Sequence, residues 1–163
     1  MGYTVGKGIN DYIKTLGNLE LEARTVVTDA IKAGAGEITG AIRQEIEALP
    51  IEQGVRGTQE TPLKGITAAQ KTGLIDGLGV SKEMDSNGNI NRKVGFDGYN
   101  TTITKRYPKG QPNVVIARSL ISGTSFRQKN DFVGRAVKKS RKQAEKKMQE
   151  TIDSGIDKIM KGT

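Results

Sequence analysis

Six cations, Lys138, Lys139, Arg141, Lys142, Lys146 and Lys147, crowd ten residues near the end of the chain, with Glu145 the one carboxylate among them. Ammonium and guanidinium groups at this density neutralise phosphates, and each neutralised phosphate adds salt-dependent affinity. They meet an acidic protein surface equally well. No aromatic residue interleaves with them, so base stacking on single strands is poorly supported. Nothing around them matches a sequence-reading module, so any contact with DNA is by charge alone. A simpler role competes. Lys and Arg are good helix formers, and the cluster fits a solvated face opposite an apolar stripe.

Other chemistry is scarce. The chain has no His and no Cys, which excludes Ser/His/Asp and Cys/His nucleophilic centres, thiolate metal sites and the common zinc sites. A carboxylate enzyme is the remaining catalytic class. Glu45 and Glu47 are its nearest approach to a pair, but residues two apart on a helix point in different directions. Together with Glu20, Glu22 and Glu37 they read as a solvated face. Asp85, Asn87 and Asn89 alternate like the start of a calcium loop, yet Ile90 and Phe96 stand where that loop needs Gly and Glu. Val5-Gly6-Lys7-Gly8 lacks the spacing of a phosphate loop. No cofactor, metal or catalytic residue is assigned.

Length and charge frame these observations. The 163 residues suit one domain spanning 1–163, and the net charge is +8. Aromatics make up only 4% and Trp is absent, so the core must be aliphatic and small, and subunit assembly is one way to supply further burial. No stretch approaches the ~20 apolar residues of a membrane span. The start has no apolar core for a signal peptide, and Gly6 stands where a myristoylation signal needs Ser or Thr. The expectation is a soluble, intracellular protein without a membrane partner.

The elements that must position the cations follow from periodicity. Residues 9–49 read as helical: a short helix from Ile9 to Leu16 closed by Gly17, then a longer one capped by Asn18 and stopped at Pro50. Gly34, Gly36 and Gly40 fall inside it and suggest a kink, or else close approach of another backbone. Residues 50–107 read as loop and hairpin. A short helix is expected over Leu63–Lys71, and Thr72–Val80 fits a bent strand. Asp85-Ser86-Asn87-Gly88-Asn89 is the strongest turn signal, between strands at Val80–Met84 and Ile90–Phe96. Asn100–Tyr107 suggests a third strand. Val114–Ile121, capped by Asn113 and closed by Gly123, fits a helix or a strand. The last helix, about 130–161, starts at Asn130 or Asp131. Its narrow stripe is Val133, Val137, Ala144, Met148, Ile152, Ile156 and Ile159, with Ala136 and Met160 beside it. Some 30 residues of helix span ~45 Å, so part of it should protrude or pack on a neighbouring subunit. The fold class is α+β: a small antiparallel sheet packed by a long N-terminal helix and a long basic C-terminal helix.

The order of several short motifs resembles one family. Lys71-Thr72-Gly73-Leu74-Ile75, the hairpin with Val94-Gly95-Phe96-Asp97-Gly98, and Val115-Ile116-Ala117-Arg118-Ser119-Leu120-Ile121-Ser122-Gly123-Thr124-Ser125 are together similar to the head–tail joining, or tail-completion, proteins of long-tailed phages. The resemblance runs from about Leu19 to Ile159. It implies a non-enzymatic virion protein, a subunit of a six-fold neck ring between portal and tail tube, assembled in the bacterial host cytoplasm. Its partners would be further copies of itself, the head-closure or connector protein, and the tail-terminator or tail-tube protein. Double-stranded DNA would pass through the lumen, lined or flanked by Lys138, Lys139, Arg141, Lys142, Lys146 and Lys147. Arg118, Ser119, Gly123, Thr124 and Ser125 would lie at a subunit interface. The alternative is a basic nucleic-acid-binding protein that reads no sequence.

Overall fold

The computed structural model describes residues 6–162, with side chains from Lys14 to Lys161 apart from those of 84–86. The Met1–Val5 start, the side chains of the Val5–Gly8 segment and that of Asp85 therefore lie outside the described residues. The fold is α+β, as expected. Its elements are α1 (Gly6–Glu47), α2 (Ala68–Gly77), β1 (Leu78–Val80), β2 (Met84–Ser86), β3 (Asn89–Asn91), β4 (Val94–Phe96), α3 (Asn113–Ser122) and α4 (Phe132–Gly162). No described helix is long and apolar enough to cross a membrane.

α1 is one unbroken helix of 42 residues, roughly 63 Å long. The expected break at Gly17 and kink at Gly34–Gly36 do not occur. A glycine weakens a helix without ending it when tertiary packing supplies the balance. The partner is α4, which runs antiparallel along α1. A Cβ on Gly34 would stand 2.6 Å from the Met148 side chain, and one on Gly155 would stand 2.5 Å from Val26. Each glycine thus admits a large side chain from the facing helix. The Glu37–Gln143 hydrogen bond (2.9 Å) and the Glu45–Lys139 ion pair (2.7 Å) continue the same antiparallel register.

The buried line of α4 is Phe132, Ala136, Ser140 and Ala144, one residue per turn. This revises the expected stripe. Val137 is exposed, and so are Ile156 and Met160. Ser140 takes a core position because its hydroxyl donates to the Ala136 carbonyl (2.8 Å), which satisfies it inside its own helix. The long C-terminal helix is therefore docked along α1, and the two together form the arm that extends from the core.

The core lies at the C-terminal end of α1. Ile42, Ile46, Leu49, Ile66, Leu74, Leu78, Ile116, Leu120 and Phe132 form it, and Phe96 meets Phe132 with ring centroids 6.0 Å apart. Two cations close helix ends around it. Lys71 Nζ donates to the carbonyls of Glu47 (2.7 Å) and Leu49 (2.8 Å), satisfying the end of α1. Arg43 reaches the Ile75 carbonyl in the last turn of α2 (3.3 Å).

α2 starts later than Leu63 and absorbs most of the segment expected as a strand. Thr67 and Gln70 form a reciprocal capping box, both bonds 3.2 Å, which fixes the start. Residues before it are held extended instead, with Ile51 bridged to Ile66 and Leu63 to Arg127. Thr72–Gly77 is then helical, and only Leu78–Val80 is strand.

The hairpin turns at Asn87-Gly88, both with positive φ (56° and 79°), the backbone of a type I′ turn. It is not two continuous strands. β1 pairs with β4 and β2 with β3. Between them three residues, Ser81–Glu83, face two, Arg92 and Lys93, and the Ser81 hydroxyl accepts from the Lys93 amide (2.9 Å). This is a bulge of one residue, which bends the ribbon. It carries Glu83 onto α1, where the carboxylate meets Arg24 (3.2 Å) and Thr28 (3.1 Å). The expected third strand at 100–107 is absent. That segment is a loop, tied at its base by the Tyr99–Pro112 bridge.

Candidate functional site

The basic cluster lies on α4 and is held by helix geometry, but half of it is already engaged. Lys139 pairs with Glu45 of α1 at 2.7 Å, Arg141 with Glu145 at 2.9 Å, and Lys146 with Glu150 at 3.9 Å. Lys138, Lys142 and Lys147 make no ion pair among the described residues. Lys138 and Lys142 are one turn apart on the side away from the buried Ala136–Ser140–Ala144 line. Lys147 instead borders a groove between α4 and α1. The geometry therefore divides the cluster between two faces, and the solvated-face reading accounts for much of it.

Two of the α1 carboxylates depart from the solvated face assigned to them: Glu37 is half-buried and accepts from Gln143, and Glu45 is held more tightly. Its side chain is 12% exposed and accepts from both Lys139 and Arg135, the latter at 2.9 Å. The Lys139 hydrogen bond, aided by Arg135, holds its carboxyl below the usual value of 4.5 against the opposing effect of burial. Glu145 raises the pKa of Arg141, so that guanidinium stays charged.

The Gly-Thr-Ser turn has a local explanation. Gly123 ends α3 with φ 72°, in the left-handed region that glycine tolerates. Thr124 and Arg127 then exchange backbone hydrogen bonds (2.8 and 3.3 Å), with Ser125 and Phe126 at the tip. Thr124, Ser125 and Arg118 are exposed. Ser119 is half-buried, and its hydroxyl donates to the Ile116 carbonyl (2.8 Å). These residues share one end of α3.

Two sets of residues escaped the sequence reading. The first is Arg127, 2% exposed. Its guanidinium donates to the carbonyls of Gly65 (2.5 Å) and Val55 (3.4 Å), pinning the 50–66 loop to the turn. Burial pulls its pKa down and Glu52 opposes that pull. The second is a buried amide network. Asn113, expected as a helix cap, is inside α3 behind Pro112. Its Nδ2 donates to the Asp97 carbonyl (2.7 Å), its Oδ1 accepts from Asn100 (3.4 Å), and Gln70 donates to Gln111 (2.7 Å). A Cβ on Gly73 would strike Asn100 and Asn113 at 2.4 and 2.6 Å, which explains the glycine in the Lys71–Ile75 motif.

Among the described residues no group of three His, Cys, Asp or Glu is placed to hold a metal ion. Searches against protein-family models, curated proteins and solved structures find no match to this chain.

Proposed function

We propose that this chain is a non-enzymatic structural subunit of a phage neck ring, joining the head connector to the tail around the DNA channel. The observation that carries the reading is the apolar surface left uncovered at both ends of an elongated subunit. Leu16, Leu21, Ile156 and Met160 are exposed toward the free end of the arm, and Ile51, Tyr99, Ile103 and Val114 at the core end. A ring built head to tail needs two different surfaces per subunit, whereas a two-fold dimer needs one. The motif order from α1 through Gly123-Thr124-Ser125 to α4 supports the same reading. On it, Arg118, Thr124 and Ser125 belong to a contact with a neighbour. Lys138 and Lys142 face DNA or an acidic adjoining ring, and as outward charges they give weak contact that lets DNA slide.

Gold labelling of a tagged copy in purified particles tests this. The expected image is one focus at the head–tail junction. Label absent from particles, together with tight, steeply salt-dependent binding of duplex DNA by the free protein, would favour a nucleic-acid-binding protein instead.

A further inference from the structure

The loop over residues 101–109 leaves the core end of the molecule with its base fixed. The Asn100 amide and Nδ2 both donate to the Gln111 carbonyl (2.9 and 3.0 Å). The Gly110 backbone lies so close that a Cβ there would be 2.3 Å from the Asn100 oxygen. Thr104 and Tyr107 exchange backbone bonds of 3.2 and 3.0 Å, so the loop is shaped in advance of any partner. It and its flank hold two large apolar residues in water, Tyr99 at 70% and Ile103 at 71% exposure. Around them Lys105, Arg106 and Lys109 are exposed, and none forms an ion pair among the described residues. Phosphate binding accounts for the cations but not for an exposed isoleucine. A protein surface with an apolar floor and carboxylate walls accounts for both.

Such a surface exists at the other end of the same molecule. An open groove of about 760 Å³ runs between α1 and α4. Leu19, Val26, Gly155 and Ile159 line it half-buried, and Glu22, Asp29 and Glu150 stand exposed along it beside Lys147 and Lys158. In a chain of net charge +8, this is where carboxylates border an uncovered apolar cleft. The base of the loop is tied to α2, where Gln70 donates to Gln111 and the next residue, Lys71, holds the Glu47 carbonyl at the end of α1, whereas the groove reaches no further along α1 than Asp29, about 27 Å of helix from Glu47. One subunit cannot bring the two together.

We propose that the 99–109 loop of one copy docks in the α1–α4 groove of the next, with Ile103 on the apolar floor and Lys105, Arg106 and Lys109 against Glu22, Asp29 and Glu150. The contact is head-to-tail, and the rotation between copies decides whether it closes as a ring. It deepens the ring reading, and of that reading it needs only self-association.

Two charge-reversal variants test it, one in the loop (K105E/R106E/K109E) and one in the groove (E22K/D29K/E150K). All six positions are exposed, and circular dichroism checks that both variants fold. Light scattering across concentration at low salt should show the unmodified chain self-associating and each variant alone doing so roughly tenfold or more weakly. Mixing the variants opposes the intact loop to the intact groove and the reversed loop to the reversed groove, both opposite in charge, so the equal mixture should recover association toward that of the unmodified chain. An unmodified chain that stays monomeric, a mixture that stays monomeric, or variants that associate as well as the unmodified chain would each overturn the proposal. So would a loop variant that loses only duplex DNA binding, which would assign the loop to nucleic acid. Rings formed equally by both variants would remove this contact and leave the ring reading standing. Head-to-tail pairing in a chain that gold labelling does not find at the neck would do the reverse.

Discussion

Arg127 is a charge buried for architecture. Its guanidinium satisfies two carbonyls of the 50–66 loop, and Nε has no partner, so the side chain holds that loop without a directly bonded carboxylate. Removing it orphans those carbonyls, and Arg127→Ala should cost about 2–4 kcal/mol in urea unfolding. Arg127→Lys should recover less than half, because an ammonium lacks the planar fork that spans both acceptors. Glu45 acts at the junction of α1 and α4. Its carboxyl is held below 4.5 by Lys139 and Arg135, so its contribution to stability is complete above that value and is lost as pH falls through the lower folded value. Glu45→Gln should remove that part of the acid destabilisation, which unfolding midpoints measured from neutral pH to pH 3 would reveal. Neither role was legible in the sequence. A cation two residues after Ser125 reads as surface, and only a loop that folds back from some sixty positions earlier buries it.

At the scale of elements, local signals were legible where one local cause dominated. Asn87-Gly88 set the hairpin turn, Gly123 ended α3, and Asp131 caps α4 by accepting from the Gly134 amide (2.9 Å). Reading failed where a distant partner decided. α2 starts at Ala68 because the residues before it are tied to Pro50, Glu52 and Phe126. Residues 100–107 have strand-favouring side chains but no neighbouring strand, so they remain a loop. The helix glycines divide the same way. Gly36 and Gly40 have open space around them, and Gly36→Ala and Gly40→Ala should each stabilise by about 0.5–1 kcal/mol. Gly155→Ala should destabilise, because its methyl would drive into Val26, whose β-branched side chain has few alternative rotamers. Thermal unfolding of the three variants checks the opposite signs.

The whole molecule is a small aliphatic core with a long two-helix arm, and its two ends display different chemistry. Apolar residues with unpaired cations lie at the core end, and an apolar groove bordered by carboxylates lies on the arm. The two long helical regions and the hairpin turn were legible in the sequence, whereas the continuity of α1 and the extent of α2 were not. The use of the arm was not, because the stripe on α4 says that the helix docks without saying on what. The proposed use is assembly with further copies, and the motif order is what supports placing that assembly at the head–tail junction. The most direct measurement is electron microscopy of particles produced from a phage genome with this coding sequence deleted, followed by addition of the purified chain. DNA-filled heads and finished tails that remain separate are expected, and joined particles once the chain is added. Normally joined, infectious particles in its absence would contradict it.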